Sequence, residues 1–342
     1  MLSPVNTFYF KSGRVSANYG EEQLMTKTKI IVTTAIMLAL QGCNPSAQIT
    51  SAEHADTTAL LFDDFNYDNT DALFANGWTA RTETGHPGIA GAVWSADGVS
   101  LHPAPELAQF GIARLSSVTD GTGEGTRHTQ ICHARKYLYG TYAARVFFRN
   151  EPTYGPDGDE VIQTFYAISP LEYPLDPNYS EVDFEYLPNG GWGENTQPAM
   201  WTTSWETFQL EPWTKVNEYS RVEGDYSGWR TLVMNVSADA VRYFVDGQLI
   251  SEHSANVAPE VPMSVNFNLW FMPKGADGSV GPIDSAEQRQ YQQDIDWVLH
   301  IPQTQLSTDE VNAKVAELRA GRQFFVDTVP EANPALPSPC GL

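Results

Sequence analysis

From Leu60 to His300, apolar and aromatic residues recur in short alternating runs, each broken by Gly, Pro, Asn or Asp. A period of two sends one side of a run into a core and the other toward solvent, the pattern of a half-buried strand. "LLFDDFN", "VWSADGVSLHP", "GTYAARVFFR", "VIQTFYAIS", "SEVDFEYL", "AMWTTSW", "WRTLVMNVS", "AVRYFVDGQLIS", "MSVNFNLWFM" and "QDIDWVLHI" all read this way. Asp246 and Gly247 in "VDGQL" supply a hairpin turn. Ten or more strands in about 240 residues, with no helix between them, predict one all-β domain over 59–302, an antiparallel sandwich. Hydrophobic residues make up 42% of the 342-residue chain, enough to fill such a core.

The period changes once, at "STDEVNAKVAELRAG". Ser307 and Glu310 form a capping-box pattern, Val311, Val315 and Leu318 share a helical face, and Gly321 ends the helix. The remainder of 303–342, "PEANPALPSPCGL", is proline-rich and predicted to run extended over the domain surface. At the other end, Lys27 and Lys29 precede the apolar run Ile30–Leu40, too short to span a bilayer and suited to a secretory signal over 25–47. Leu40, Gln41, Gly42 and Cys43 resemble a bacterial lipobox, which would lipidate Cys43 and anchor the chain in a membrane; cleavage after Ala47 is the alternative. On this reading Met25 is the initiator, residues 1–24 are upstream sequence, and the small polar residues of 48–58 are a linker. The expected location is outside the cytoplasm, as a surface or outer-membrane lipoprotein or a secreted monomer. In an oxidising compartment Cys132 and Cys340 either pair or stay as free thiols, since sequence does not give their distance.

Lys and Arg number 20 against 42 Asp and Glu, a formal charge of −22, which repels nucleic acid and anionic lipid and selects no neutral substrate by itself. Three of these acids, Glu181, Asp183 and Glu185, stand at two-residue spacing in "SEVDFEYLPNGGWG". On a strand they share one face while Val182 and Phe184 point into the core. Spacing alone is weak: a random chain of this composition holds roughly 0.6 such triples, and a solvated acidic face is the plain reading. The neighbouring Trp192, Trp201 and Trp205 argue against it, because solvated faces seldom gather so many rings. Cα atoms four residues apart on a strand are about 13 Å apart, and two Glu side chains leaning together bring carboxyls to about 5 to 5.5 Å, the spacing of a retaining glycosidase.

With "FDDFNY", "WSADGVSL", "YGTYAARV", "EVDFE", "YFVDGQLI", "FNLWF" and "DIDWV" in this order, the chain resembles glycoside hydrolase family 16 over roughly Phe62 to His300. The resemblance implies a concanavalin A-like jelly roll of two antiparallel sheets, followed here by the short C-terminal helix. It implies Glu181 as nucleophile, Asp183 as its assistant and Glu185 as acid/base in a retaining endo-acting hydrolase of an extracellular polysaccharide. The motif lacks the residue that laminarinases, agarases and carrageenases typically insert before the last Glu. Its compact form is similar to that of lichenases and of xyloglucan or chitin-glucan transglycosylases, implying a β-glucan substrate, with transglycosylation as the alternative reaction. Ser180, Pro188 and Val236 depart from the family pattern. A lectin-like binding module on the same scaffold is the reading from another class, and it needs no pair of glutamates.

Tyr179 stands where such enzymes place an aromatic that stacks on sugar, and Trp201, Trp205 and Trp270 are further platforms for the apolar face of a pyranose. Arg135 and Asn268 are candidates for hydrogen bonds to sugar hydroxyls. Catalysis requires no cofactor. The resemblance also implies a structural calcium, with Asp296 as its carboxylate and the carbonyls of Asp64 and Gly98 as further ligands. His128 and His133, five apart, fall on opposite strand faces and make no zinc pair, and "DGTGEG" and "KGADGSVG" lack the ending of a phosphate loop.

Overall fold

Strand pairing sorts the alternating runs into two antiparallel sheets. The computed structural model describes residues 59–104, 110–192, 197–273, 283–337 and 340–341; the expected signal, Cys43 and linker lie outside them, as does "KGADGSVG". The front sheet runs Thr79–Ala80, Arg127–Tyr137, Met263–Phe271, Val161–Ile168, Glu181–Leu187, Ala199–Gln209, Thr214–Glu223. The back sheet runs Val99–Pro103, Gly111–Thr119, Arg289–Pro302, Gly140–Phe148, Gly228–Val236, Ala240–Val245, Gln248–Ser254. Leu61–Asp63 pairs with the far end of Arg289–Pro302 and with Phe325–Asp327. The hairpin turn is as expected: Asp246 and Gly247 both adopt positive φ, 50° and 84°, which matches the twist of the flanking strands.

Five strands are missing from the alternation reading: the long Gly111–Thr119, Arg127–Tyr137 and Thr214–Glu223, and the short Thr79–Ala80 and Phe325–Asp327. Thr214–Glu223 lies on the edge of the front sheet and buries none of its residues, so no apolar side marks it. Arg127–Tyr137 is buried on both faces, with polar Gln130 and Arg135 where a strand pattern calls for apolar groups. A six-residue helix, Thr70–Ala75, also escaped; the Asn69 side chain caps it by accepting from the Ala72 N–H.

Between the sheets, Val182 and Phe184 are fully buried, with Phe165 stacked on Phe267 at 5.1 Å and Leu232, Met234 and Val236 facing them. The outward side of the back sheet is apolar too, through Ala143, Val233, Trp297, Leu299 and Ile301. Helix Thr308–Ala320 covers it with Val311, Val315 and Leu318, each side chain contributing roughly 1.5–3 kcal/mol by leaving water. The Ser307–Glu310 capping box is formed. Gly321 closes the helix in a right-handed conformation, φ −75°, and the left-handed residue that reverses the chain is Arg322, φ 55°. Beyond the helix the chain pairs at Phe325–Asp327 and then passes to the front sheet, where Cys340 is disulfide-bonded to Cys132.

Candidate active site

Residues directly opposite on antiparallel strands share a face, so register assembles the site in rows across the front sheet. One row reads Trp205, Glu181, Ile168, Ser264. The next reads Tyr219, Thr203, Asp183, Tyr166, Asn266, Cys132. In the third, Trp201 pairs with Glu185 and Glu185 with Thr164, and Asn268 pairs with Gln130. Thr164 and Asn268 are joined by a 2.8 Å hydrogen bond between their side chains, which completes the row. Each carboxylate therefore sits centrally, with an indole or threonine on one flank and, on the other, Ile168 beside Glu181, Tyr166 beside Asp183 and Thr164 beside Glu185.

The three acids have different partners. Tyr179 donates its hydroxyl proton to Glu181 Oε2, Trp205 Nε1 donates to Asp183 Oδ2 at 3.1 Å, and Asp183 and Glu181 are hydrogen-bonded to each other. Glu185 makes no side-chain hydrogen bond among the described residues. Asp183 is 4% exposed and the glutamates are half-buried. Burial raises Glu181 to about 7, against the pull of its bonds to Tyr179 and Asp183. Burial, then the Glu181 charge, raises Glu185 to about 8. Asp183 is pushed well above the carboxylate range by burial and then by both glutamate charges, so it holds a proton. Like charges this close do not all ionise, and the environment orders them.

The floor is one network. Tyr166 Oη accepts from Gln130 Nε2 at 2.8 Å and Asn268 Nδ2 at 3.2 Å, and Arg81 Nη1 donates to Gln130 Oε1 at 3.3 Å. Arg81 also stacks over Trp94, 4.4 Å from the ring centre. The segment after Thr79–Ala80 crosses above this face: the His86 ring lies 6.0 Å from Phe208, which belongs to the strand Ala199–Gln209 and packs on Tyr179 at 5.3 Å. The Glu181 end is thus overhung, and the face is a groove.

The structure brings Glu181, Asp183, Glu185, Trp201 and Trp205 together and revises several of the other assignments. Tyr179 offers no stacking face, being 1% exposed; it serves Glu181 through its hydroxyl. Asn268, 4% exposed, is tied to Thr164 and Tyr166, and Arg135, also 4% exposed, donates to the Gly341 carbonyl. Trp270 is buried beneath Trp192, which is 43% exposed with its ring 5.8 Å away. Trp201, 7% exposed, offers no free face either; the exposed rings that sequence reasoning missed are Tyr219, which covers it at 5.6 Å, and Trp213, which extends the platform of Trp205 at 6.4 Å. Their only sequence signal was an aromatic on an unpatterned edge strand or turn. Tyr166 was missed because only register places it beside Asp183, and Gln130 because it reaches that row only through its hydrogen bond to Tyr166.

The residues expected to hold calcium do not fit one. Asp296 accepts from Arg145 Nη1 and Arg319 Nη2, both at 2.8 Å, and Arg319 Nε lies 3.6 Å from Asp64 Oδ2. Two carboxylates already face two guanidinium groups, and a divalent ion there would be repelled by Arg319. Gly98 packs on Thr129 and the Ser116 carbonyl, and Ser116 pairs with Gln292, four residues before Asp296. Among the described residues no cluster of three metal-ligating side chains occurs. Burial raises Asp64 to about 7, with Arg319 pulling it down. Arg319→Ala leaves buried Asp64 without its guanidinium and Asp296 with Arg145 alone, an expected loss of about 3 kcal/mol, or roughly 10 °C in melting temperature. A chelator should leave the wild-type melting temperature unchanged; a fall on adding EDTA would contradict this arrangement.

No family model matches the chain, and no curated protein matches it. Solved structures do match. The Bacillus licheniformis β-glucanase aligns over 72% of this chain and 100% of its own, at 17% identity and a TM-score of 0.51. A Bacteroides ovatus enzyme, described as a mixed linkage glucan GH16 in complex with its product, covers 69% and 98%, at 15% identity and 0.52. The κ-carrageenase of Pseudoalteromonas carrageenovora, bound to an oligotetrasaccharide, covers 75% and 98%, at 14% identity and 0.50. Through this likeness and its own strand pairing, the chain is a jelly-roll β-sandwich of the fold those proteins share.

Proposed function

We propose that this chain is a glycoside hydrolase of family 16, an endo-acting, retaining β-glycosidase of extracellular polysaccharide. The observation that carries the reading is the acid strand: two half-buried glutamates flank a buried aspartate hydrogen-bonded to Glu181, in a groove lined by indoles and polar groups. A binding module gains nothing from raised carboxylates held against one another, whereas acid–base and nucleophilic catalysis need groups poised near neutral pH.

Glu181, ionised, attacks the anomeric carbon while protonated Glu185 gives its proton to the leaving glycosidic oxygen, leaving a glycosyl ester on Glu181. Asp183 and Tyr179 donate hydrogen bonds to the Glu181 carboxyl, holding its orientation and lowering its basicity as the ester forms. Water, deprotonated by Glu185, then opens the ester with a second inversion, restoring the β-anomer. Trp205, opposite Glu181, and the exposed ring of Tyr219, which lies over buried Trp201, stack on sugar rings beside the scissile bond. A β-glucan is the substrate class that the compact motif supports. Export through the N-terminal segment, with Cys43 as a lipid anchor and the domain acting as a monomer, accords with the Cys132–Cys340 disulfide.

The test is reducing-end release from mixed-linkage glucan, laminarin, xyloglucan, agar and carrageenan, with NMR of the first-formed anomer. Internal cleavage with a β-product is expected. An α-product, or no cleavage of any of these, overturns the proposal, and longer products on adding an oligosaccharide acceptor would assign transglycosylation instead.

A further inference from the structure

The C-terminal tail ends on the sugar side of the front sheet. Cys132 shares its cross-strand row with Asn266, Tyr166 and Asp183, so Cys340, disulfide-bonded to it, is held on the same face as the acids. Three strand spacings separate Cys132 from Asp183, about 14 Å, roughly the span of three pyranose rings. Cys340 is 4% exposed and its Sγ approaches the Thr79 carbonyl at 3.3 Å, at the edge strand of the sheet. Arg135, in the register shift of the same strand, donates to the Gly341 carbonyl, while its Nε is buried without a partner. Upstream, Glu331 is paired with Lys136 at 2.6 Å, and Ala332, Ala335, Leu336 and Pro337 lie over Ala134 and Arg135, enclosing a recess of about 160 Å³.

A polysaccharide crossing the strands along these rows would pass from Tyr219 and Thr203 over the acids toward Tyr166, 6% exposed; beyond it Asn266 and Cys132 are already fully covered, on the side where the tail lies. We propose that the disulfide-anchored tail is the end wall of the groove and determines chain-length specificity, limiting how many sugar units bind past the acids on the Arg127–Tyr137 side. The inference rests on the glycosidase reading and adds a structural limit to it. Arg135 acts as the buried anchor of the wall. The wall is covalent because a short proline-rich segment held by one surface ion pair buries too little apolar surface to stay on a sheet face unaided.

The experiment compares wild type with two variants on an end-labelled oligosaccharide ladder and on the polymer. One variant carries Cys132→Ser and Cys340→Ser with the tail retained; the other adds termination after Val329, which is itself buried in the core and kept. Circular dichroism and melting temperature establish that each is folded, and the double serine variant serves if the truncated chain is not. Wild type should leave a fixed short product from one end. The variants should extend that product by at least one sugar unit and lower KM for the polymer severalfold, with kcat on the shortest substrates unchanged. Identical ladders and KM values in all folded forms overturn the wall while leaving the glycosidase reading intact. Silence of every form on every polysaccharide overturns that reading, and the wall with it.

Discussion

Glu181→Gln is expected to reduce kcat on the polysaccharide by on the order of 10⁴-fold or more, with KM little changed, because an amide oxygen cannot form the glycosyl ester. The substitution is nearly isosteric, and it keeps an acceptor for the Tyr179 hydroxyl and for Asp183. A folded Glu181→Gln protein that binds oligosaccharide without turning it over is the expected outcome, checked by calorimetric titration beside a stopped assay. Turnover at the wild-type rate would remove Glu181 from the chemistry. Asp183→Asn is a milder loss by the same logic, since a protonated Asp183 and an amide both donate a hydrogen bond toward Glu181.

Loss of Glu185 should have a different profile. Glu185→Ala is expected to cut kcat on the polymer by about 10² to 10⁴-fold, while aryl glycosides, whose leaving groups need no proton, keep the first step. Azide should then restore turnover and give a β-glycosyl azide, because the small anion replaces the water that Glu185 would have deprotonated. Wild-type activity needs Glu181 ionised and Glu185 protonated, so kcat/KM should rise through about 7 and fall through about 8, a narrow optimum near neutrality. In Glu185→Ala the alkaline limb should vanish and the acid limb remain. An alkaline limb surviving in the variant would assign it to another group.

The same charges bear on stability. Both glutamates are raised in the folded state above the ordinary carboxyl value of 4.5, so between about 4.5 and 8 the folded state holds protons that the unfolded chain has released. Stability therefore falls as pH rises through that window. Glu185→Gln, with no charge to bury, should melt a few degrees above wild type at pH 8 and close to it at pH 5.

Much of this molecule can be read from short-range patterns, and the exceptions share a cause. The strand Glu181–Leu187 is legible because alternation, which places Val182 and Phe184 in the core, also fixes the side on which its three acids emerge. Helix Thr308–Ala320 is legible because capping and a 3.6-residue stripe are local. Thr214–Glu223 and Arg127–Tyr137 are not, since one buries nothing and the other buries polar groups satisfied by distant strands.

Residue type and spacing were sufficient for an all-β sandwich, a terminal helix and an acid triplet on one strand face, because these follow from backbone periodicity and the burial of apolar side chains. The partners of those acids depended on register, which pairing across six strands sets and no single strand contains. Register alone set Tyr166 beside Asp183 and Cys132 in the same row, and packing turned Tyr179 from a platform into a hydrogen-bond donor to Glu181. Helix docking brought Arg319, more than 240 residues along the chain from Asp64, to where a cation had been expected, because buried carboxylates require a positive charge of some kind and the fold supplied one of its own.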